Sequence, residues 1–315
     1  MSGHMRALRG WIGIGSYYPS VLTDSARFLG NEWRLFGFTR RLLSFPRSGF
    51  RTMPLMDYSL AISTCPNDTF MFHAILERRV DLRGLEFDIT LCDIQELNLG
   101  MQAARYDFCK ASSVAALRAA ESYELCASGA AVGYGVGPLL LRRRDAPPLD
   151  GKARVLCPGE STTANALFRH FYPEGGEVSQ VVFSDIMPAL RDGRADYGVV
   201  IHEGRFTYSS FGLECVADLG TLWEERYAMP LPLGCVVANR RVPTETRQRF
   251  ADVVRASVEY AYAHRQDTVS TMRRYAQELD DNALWAHVEL YVNQWSVDLG
   301  DAGRQAFDRL NEVLR

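Results

Sequence analysis

Three short segments place small hydroxyl, amide and carboxylate side chains where an apolar run meets a helix-forming run: CPNDT (65–69), KASS (110–113) and PGESTT (158–163). The first N–H groups of a helix have no partner inside it, and its dipole puts partial positive charge at the same end. Asn67, Asp68, Thr69, Ser112, Ser113, Thr162 and Thr163 are therefore candidate substrate contacts. Each of these residue types is also an ordinary helix cap. Three such junctions at strand ends together favour a cleft that binds an anion.

Chemistry beyond binding needs a group that moves a proton. In VVIHEGRFTY, His202 directly follows a buried-type strand, and strand ends are where open α/β sheets present ligand-binding groups. An unperturbed imidazole, with a pKa of about 6.5, can serve as a base at neutral pH, although an isolated histidine is more often a structural residue. Glu203 and Arg205 could orient His202, but a solvated ion pair between them on the cleft rim is the plainer reading. Arg205 is kept as a further candidate substrate contact. His73 reads as a core-edge residue, and His170, His264 and His287 sit on helical stretches without ligand spacing, so no metal site is expected. Cys65 precedes a helix start, which lowers a thiol pKa, but no second group at fixed spacing marks it as a nucleophile. The loop GYGVGP lacks the spacing of a nucleotide cradle, and no nucleotide cofactor is indicated.

These residues need elements to position them. YSLAIS, LEFDITLCD and FCKAS read as strands, separated by helical TFMFHAILERR and NLGMQAARYD, and this alternation argues for a parallel-rich sheet. After the apolar run ending near 142, DAPPLDG can continue neither element. A second α/β run follows: strand ARVLCPG, helix STTANALFRHFY, strand QVVFSD, helix MPALRDGRAD and strand YGVVIHE. LPLGCVVANR then reads as a returning strand. The rest is helical, with Thr244 expected as an N-cap, Phe250, Val253, Val254, Val258 and Ala261 on one face, and Asp280 capping a later helix. Two crossing strands imply a discontinuous first lobe (57–141 and 235–315), an inserted second lobe (148–231) and a cleft between them.

The chain has 315 residues, 47% of them apolar and 23% charged, enough for two modest cores. A net charge of -3 provides no field for nucleic acid or an anionic membrane, so the expected partner is a small molecule. No two of the seven cysteines lie closer than 17 residues, which fits neither a metal pair nor a dense disulfide framework and suggests reduced thiols in the cytoplasm. Residues 1–56 differ from the rest. They are arginine-rich and acid-poor without a core-forming face, and read as a poorly ordered extension or a transit-like leader. Nothing in the sequence sets the oligomeric state.

In this order, CPNDTFMFHA, GYGVGPL, PGESTTA, IHEGRFTY and MPLPLG resemble the segments of 1,4-dihydroxy-6-naphthoate synthases over about residues 57–300. The resemblance implies an α/β, two-lobed periplasmic-binding-protein-like (type II) fold. It also implies a lyase of the futalosine route to menaquinone, which splits cyclic dehypoxanthinylfutalosine into 1,4-dihydroxy-6-naphthoate and dihydroxyacetone. The family histidine falls on His202, as the base that starts a retro-aldol cleavage without a cofactor, and the substrate carries a carboxylate. Two alternatives stand beside it. Chorismate dehydratase of the same pathway is similar in architecture but lacks the CPNDT and IHE-RFTY pair. A non-catalytic solute-binding protein is what the fold alone would favour.

Overall fold

The computed structural model describes residues 57–202, 204–275 and 280–314. The expected N-terminal extension (1–56) and Glu203 lie outside the described residues. The chain opens with β1 (Asp57–Ser63), β2 (Glu86–Cys92), β3 (Phe108–Ser112), β4 (Tyr123–Leu125) and β5 (Ala131–Gly133). It then forms β6 (Leu139–Arg142), β7 (Arg154–Cys157), β8 (Glu177–Gln180), β9 (Tyr197–Val200) and β10 (Glu214–Asp218), before β11 (Leu231–Asn239) returns.

Two sheets result. In the first the order is β2-β1-β3-β11-β4, with β5 also paired to β11. β1 runs parallel to β2 and β3, whereas β11 is antiparallel to β3, β4 and β5. The second sheet has the order β10-β6-β9-β7-β8, parallel only where β7 meets β8 and β9. The inner strands β3 and β9 are buried along their whole length, as strands inside a covered sheet are, although β3 carries Lys110 and Ser112 among its apolar residues. The edge strand β8, EVSQ, is polar and largely exposed, which discourages edge-to-edge pairing.

The long helix Thr244–Ala263 closes the first sheet. Phe250, Val253, Val254, Val258 and Ala261 are fully buried on it, and they pack with Leu60, Ile62, Phe70 and Phe108. The rings of Phe108 and Phe250 stack with centroids 3.8 Å apart. Around the second sheet, Leu140, Val155, Phe168, Tyr197, Val199 and Trp223 form a separate core cluster. No described helix is long and apolar enough to cross a membrane.

Several local expectations need correction. The CPND segment is not a turn ahead of a helix but its first turn: the helix spans Pro66–Met71 with Cys65 as N-cap, where proline's missing N–H costs nothing. The strand expected over QVVFSD ends at Gln180, and Phe183 already begins the helix Phe183–Arg191. A short apolar run fits either state, and Asp185 in the first turn complements the helix dipole. Thr244 is the first helical residue after an N-cap at Pro243, while Asp280 does cap its helix by accepting from the Ala283 N–H at 2.8 Å. Leu139–Arg142 hydrogen-bonds within the second sheet, so a boundary at 141 would cut through β6; the chain has already crossed by Leu139.

That crossing is tight. A Cβ on Gly137 would lie 2.1 Å from the backbone nitrogen of Gly220, at the start of the helix Leu219–Tyr227. Gly151, by contrast, has open space around it. Gly137→Ala should therefore lower the unfolding free energy by about 1–3 kcal/mol or more, because backbone must move. Gly151→Ala should change it by less than about 1 kcal/mol. Denaturant titration of both variants checks this, and equal midpoints would refute the close packing.

Candidate functional site

A cavity of about 650 Å³, including its open mouth, lies where the ends of β1, β3 and β9 meet β11 and two helix starts. Ser63, Asn67, Asp68, Lys110, Ser112, Thr162, Thr163 and His202 supply its polar wall, and Ile94, Val136, Pro138, Ile201 and Leu233 much of its apolar one. Two opposite charges stand inside. The Lys110 ammonium lies 2.8 Å from Asp68 Oδ1, with both side chains almost completely buried. Lys110 also donates to the Gly129 carbonyl at 3.1 Å. Asp68 is satisfied further: Asn67 Nδ2 donates to Oδ1 at 2.9 Å and Ser63 Oγ to Oδ2 at 2.6 Å. An ammonium has three donors, so one remains for a ligand.

His202 stands at the exit of β9 with φ +55°, in the left-handed region that a non-glycine residue adopts only when its surroundings hold it there. Its Nε2 is 3.6 Å from the Cys65 sulfur. Phe183 meets its ring edge-on, and the ring of His287 lies almost parallel to it, 9° apart with centroids 5.9 Å distant. His287 is fully buried, and its Nε2 hydrogen-bonds Asn67 Oδ1 at 2.9 Å. Because Asn67 already donates its amide N–H to Asp68, the His287 nitrogen is the donor in this pair. Burial holds the His287 pKa well below the usual imidazole range, and the neighbouring His202 pushes it the same way.

Asn67, Asp68, Ser112, Thr162, Thr163 and His202 are thus brought together as expected from the sequence, whereas three candidates stand elsewhere. Thr69 turns its hydroxyl back to the Cys65 carbonyl, 3.1 Å away. Ser113 is buried outside the lining. Arg205 does not reach the cavity wall: its guanidinium is held by Asp218 and by the Gly137 carbonyl, both at 2.5 Å. The acid that pairs with Arg205 lies 13 residues away, a partner that no local motif announces.

The two threonines line the cavity, but their hydroxyls are engaged inside the protein. Thr162 Oγ1 donates to the Gly159 carbonyl and accepts from the Asn165 N–H. Thr163 Oγ1 donates to the Leu233 carbonyl and accepts from the Val114 N–H. What remains for a ligand is the backbone N–H pair of Thr163 and Ala164, in the first turn of the helix Thr163–Phe171. Ser112 differs. Buried Asn98 donates to its hydroxyl at 3.0 Å and accepts from its N–H, which leaves the hydroxyl proton free. Among the described residues, no group of three or more His, Cys, Asp or Glu is placed to hold a metal ion.

Sequence reasoning passed over Lys110, Ser63 and His287 as members of the site. Lys110 carried a signal: it is one of only two lysines in the chain and the sole charge in the buried strand FCKAS. A charge in such a strand is rarely without a paired role. His287 carried none, since its partners Asn67 and His202 are far away in sequence.

The chain matches a family model described as menaquinone biosynthesis over residues 58–315. It is 40% identical to a 1,4-dihydroxy-6-naphthoate synthase of Thermus thermophilus, covering 80% of this chain and 91% of that protein. A protein of the same name from Streptomyces coelicolor is 39% identical, covering 78% of this chain and 89% of that one. Among solved structures, an Archaeoglobus fulgidus protein superposes with a TM-score of 0.77 at 30% identity, over 82% of this chain and 96% of that one. The periplasmic aliphatic sulphonate binding protein of Escherichia coli superposes with a TM-score of 0.56 at 12% identity, over 81% and 87% of the two chains. The last likeness shows the two-lobed periplasmic-binding-protein-like fold and nothing more.

Two outcomes test this geometry. Lys110→Met leaves Asp68 as a buried charge without its cation, and the unfolding free energy should fall by about 3–5 kcal/mol. Adding Asp68→Asn should restore more than half of that; an equal loss in the double variant would contradict the pairing. The depressed pKa of His287 sets a pH dependence as well. In the unfolded chain its imidazole takes a proton at about pH 6.5, which the folded chain refuses until much lower pH. Stability is therefore present above about pH 6.5 and falls by up to about 1.4 kcal/mol per unit as the pH drops below it. Urea titrations at pH 7.5 and 5.5 should show a smaller decline for His287→Phe than for the wild type.

Proposed function

Because the chain belongs to the 1,4-dihydroxy-6-naphthoate synthase family of menaquinone biosynthesis, we propose that its cavity holds a carboxylate-bearing fused-ring substrate, with His202 as the base. The protein is a carbon–carbon lyase that converts cyclic dehypoxanthinylfutalosine to 1,4-dihydroxy-6-naphthoate and dihydroxyacetone. The observation that carries the assignment of the base is His202 itself, fixed by a left-handed backbone at the end of β9 and lining the cavity that the buried Asp68–Lys110 pair also lines.

In this reading His202 removes a proton from a hydroxyl of the sugar-derived ring. The alkoxide collapses to a carbonyl, the adjacent C–C bond breaks, and its electron pair enters the second ring as that ring becomes aromatic. Aromatisation supplies the driving force, and the protein supplies base, orientation and exclusion of water. The apolar wall suits the flat ring system. For its carboxylate, the free N–H groups of Thr163 and Ala164 offer two charge-assisted hydrogen bonds at a positive helix end, each worth about 1.5–3 kcal/mol, with the free Ser112 hydroxyl as a further donor.

The same reading divides the described chain into a discontinuous first lobe, built on β1–β5, β11 and the C-terminal helices, and a second built on β6–β10. It places the reaction in the cytoplasm, where seven cysteines without a disulfide remain as thiols.

His202→Ala should lower kcat by ~10²–10⁴-fold with a much smaller effect on KM, as expected for a base acting in the transition state. Near-wild-type turnover would remove His202 from the mechanism. Thr163→Val should lower the melting temperature, through loss of bonds to Leu233 and Val114, and change naphthoate affinity less than about threefold. A tenfold loss of affinity at unchanged melting temperature would instead put its hydroxyl on the carboxylate, since a bond to a charged group is worth about that much.

A further inference from the structure

The nearly parallel rings of His202 and His287 form a pair that the chemistry described so far does not use. We infer that His287 is a positioning residue for His202: its buried ring, lying nearly parallel to that of the base, fixes the plane of the base and supports the positive charge that the base acquires. This rests on His202 being the base.

The first support is an imbalance in hydrogen bonding. His287 is fully buried, its Nε2 bonds Asn67, and its Nδ1 is buried with no partner. An unmet acceptor in a dry interior is unfavourable, and an apolar ring of similar size would avoid it. Stability alone therefore does not account for a histidine here. What a phenylalanine lacks is the bond to Asn67, and through it the connection to Asp68 and Lys110. That chain of bonds fixes the angle of the His287 ring, and the ring in turn backs His202.

The second support is electrostatic. Two stacked imidazoles repel one another when both are protonated, so the pair accommodates one charge. His287 has no exposed surface, whereas His202 is half-buried and lines the cavity, and burial disfavours the charged form. The charge therefore belongs on His202. A neutral aromatic face close to a cation stabilises it, and more so where water is scarce. The other titratable groups around the pair, among the described residues, are the Cys65 thiol, the Tyr291 ring against His287, and Asp68 and Lys110 in the cavity wall. Asp68 and Lys110 neutralise each other, and the His287 ring, nearly parallel to that of His202, is placed to respond to the charge on it.

Two variants separate ring from bond. His287→Gln retains a donor toward Asn67 but no ring face; His287→Phe retains the ring face and removes the orphaned nitrogen. Each is assayed in the full chain for kcat, KM and the acidic limb of the kcat/KM profile, beside His202→Ala and a melting curve. His287→Gln should lower kcat at least tenfold with KM within about threefold, and shift the acidic limb down by about half a unit, whereas His287→Phe, which keeps a ring face but loses the Asn67 bond that sets its angle, should keep the limb within about 0.2 unit and lower kcat by about three- to tenfold. Wild-type kcat and limb in His287→Gln would overturn the inference, as would identical losses in both variants. If His202→Ala itself turned over normally, the assignment of the base would fail instead. A fall in melting temperature alone, with kinetics unchanged, would mark His287 as structural and also overturn it.

Discussion

A charge removed from water must be matched, and in this fold that requirement is concentrated at Asp68. Its two oxygens accept from Ser63 at the end of β1, from Asn67 beside it in the first helical turn, and from Lys110 in the middle of β3. Lys110 reaches on to the Gly129 carbonyl, just ahead of β5. The end of β1, the helical turn after it and β3 are thereby tied to one carboxylate, and through Lys110 to the loop ahead of β5. Pairs of this kind contribute little net stability compared with an apolar core, and their value lies in allowing one arrangement only. Here the arrangement is the floor of the cavity.

From that floor order passes outward through Asn67 to His287 and, by ring stacking, to His202. Two histidines of one chemical type thus occupy two environments. One is dry and held neutral by burial; the other sits in a half-buried wall, beside a cysteine thiol and facing the ligand space. Separating two like groups by environment is how a protein assigns an acid–base role to one of them. The wall at the helix Thr163–Phe171 is built differently. There, threonine hydroxyls are engaged in holding the helix against β11 and the neighbouring helix start, and the first N–H groups of the helix have no partner inside it.

Much of this was legible in the sequence because it is local. Alternating strand and helix patterns, small polar residues at strand ends, and a histidine behind an apolar strand all report within about ten residues of themselves. They located β1, β3, β7, β9, β11 and most of the polar cavity wall. What stayed hidden depends on contacts between distant segments. The partner of Asn67 is 220 residues away and that of Cys65 is 137 away, so neither spacing nor motif pointed to them. Arg205 looked like a ligand contact because its acid, Asp218, lay beyond the motif. Thr69 looked free because its hydroxyl bond is to the backbone of its own first turn, which the sequence placed one turn too late. The resemblance to the naphthoate synthases rests on the same local segments, and for that reason it was visible before the fold was.

The most direct measurement is a single incubation. Purified protein, treated with a chelator and supplied with no nucleotide, is mixed with cyclic dehypoxanthinylfutalosine, and both products are quantified over time by mass spectrometry. The account predicts 1,4-dihydroxy-6-naphthoate and dihydroxyacetone appearing together in equal amounts, with catalytic turnover. Unchanged substrate, or release of naphthoate only when a metal ion or cofactor is restored, would contradict it.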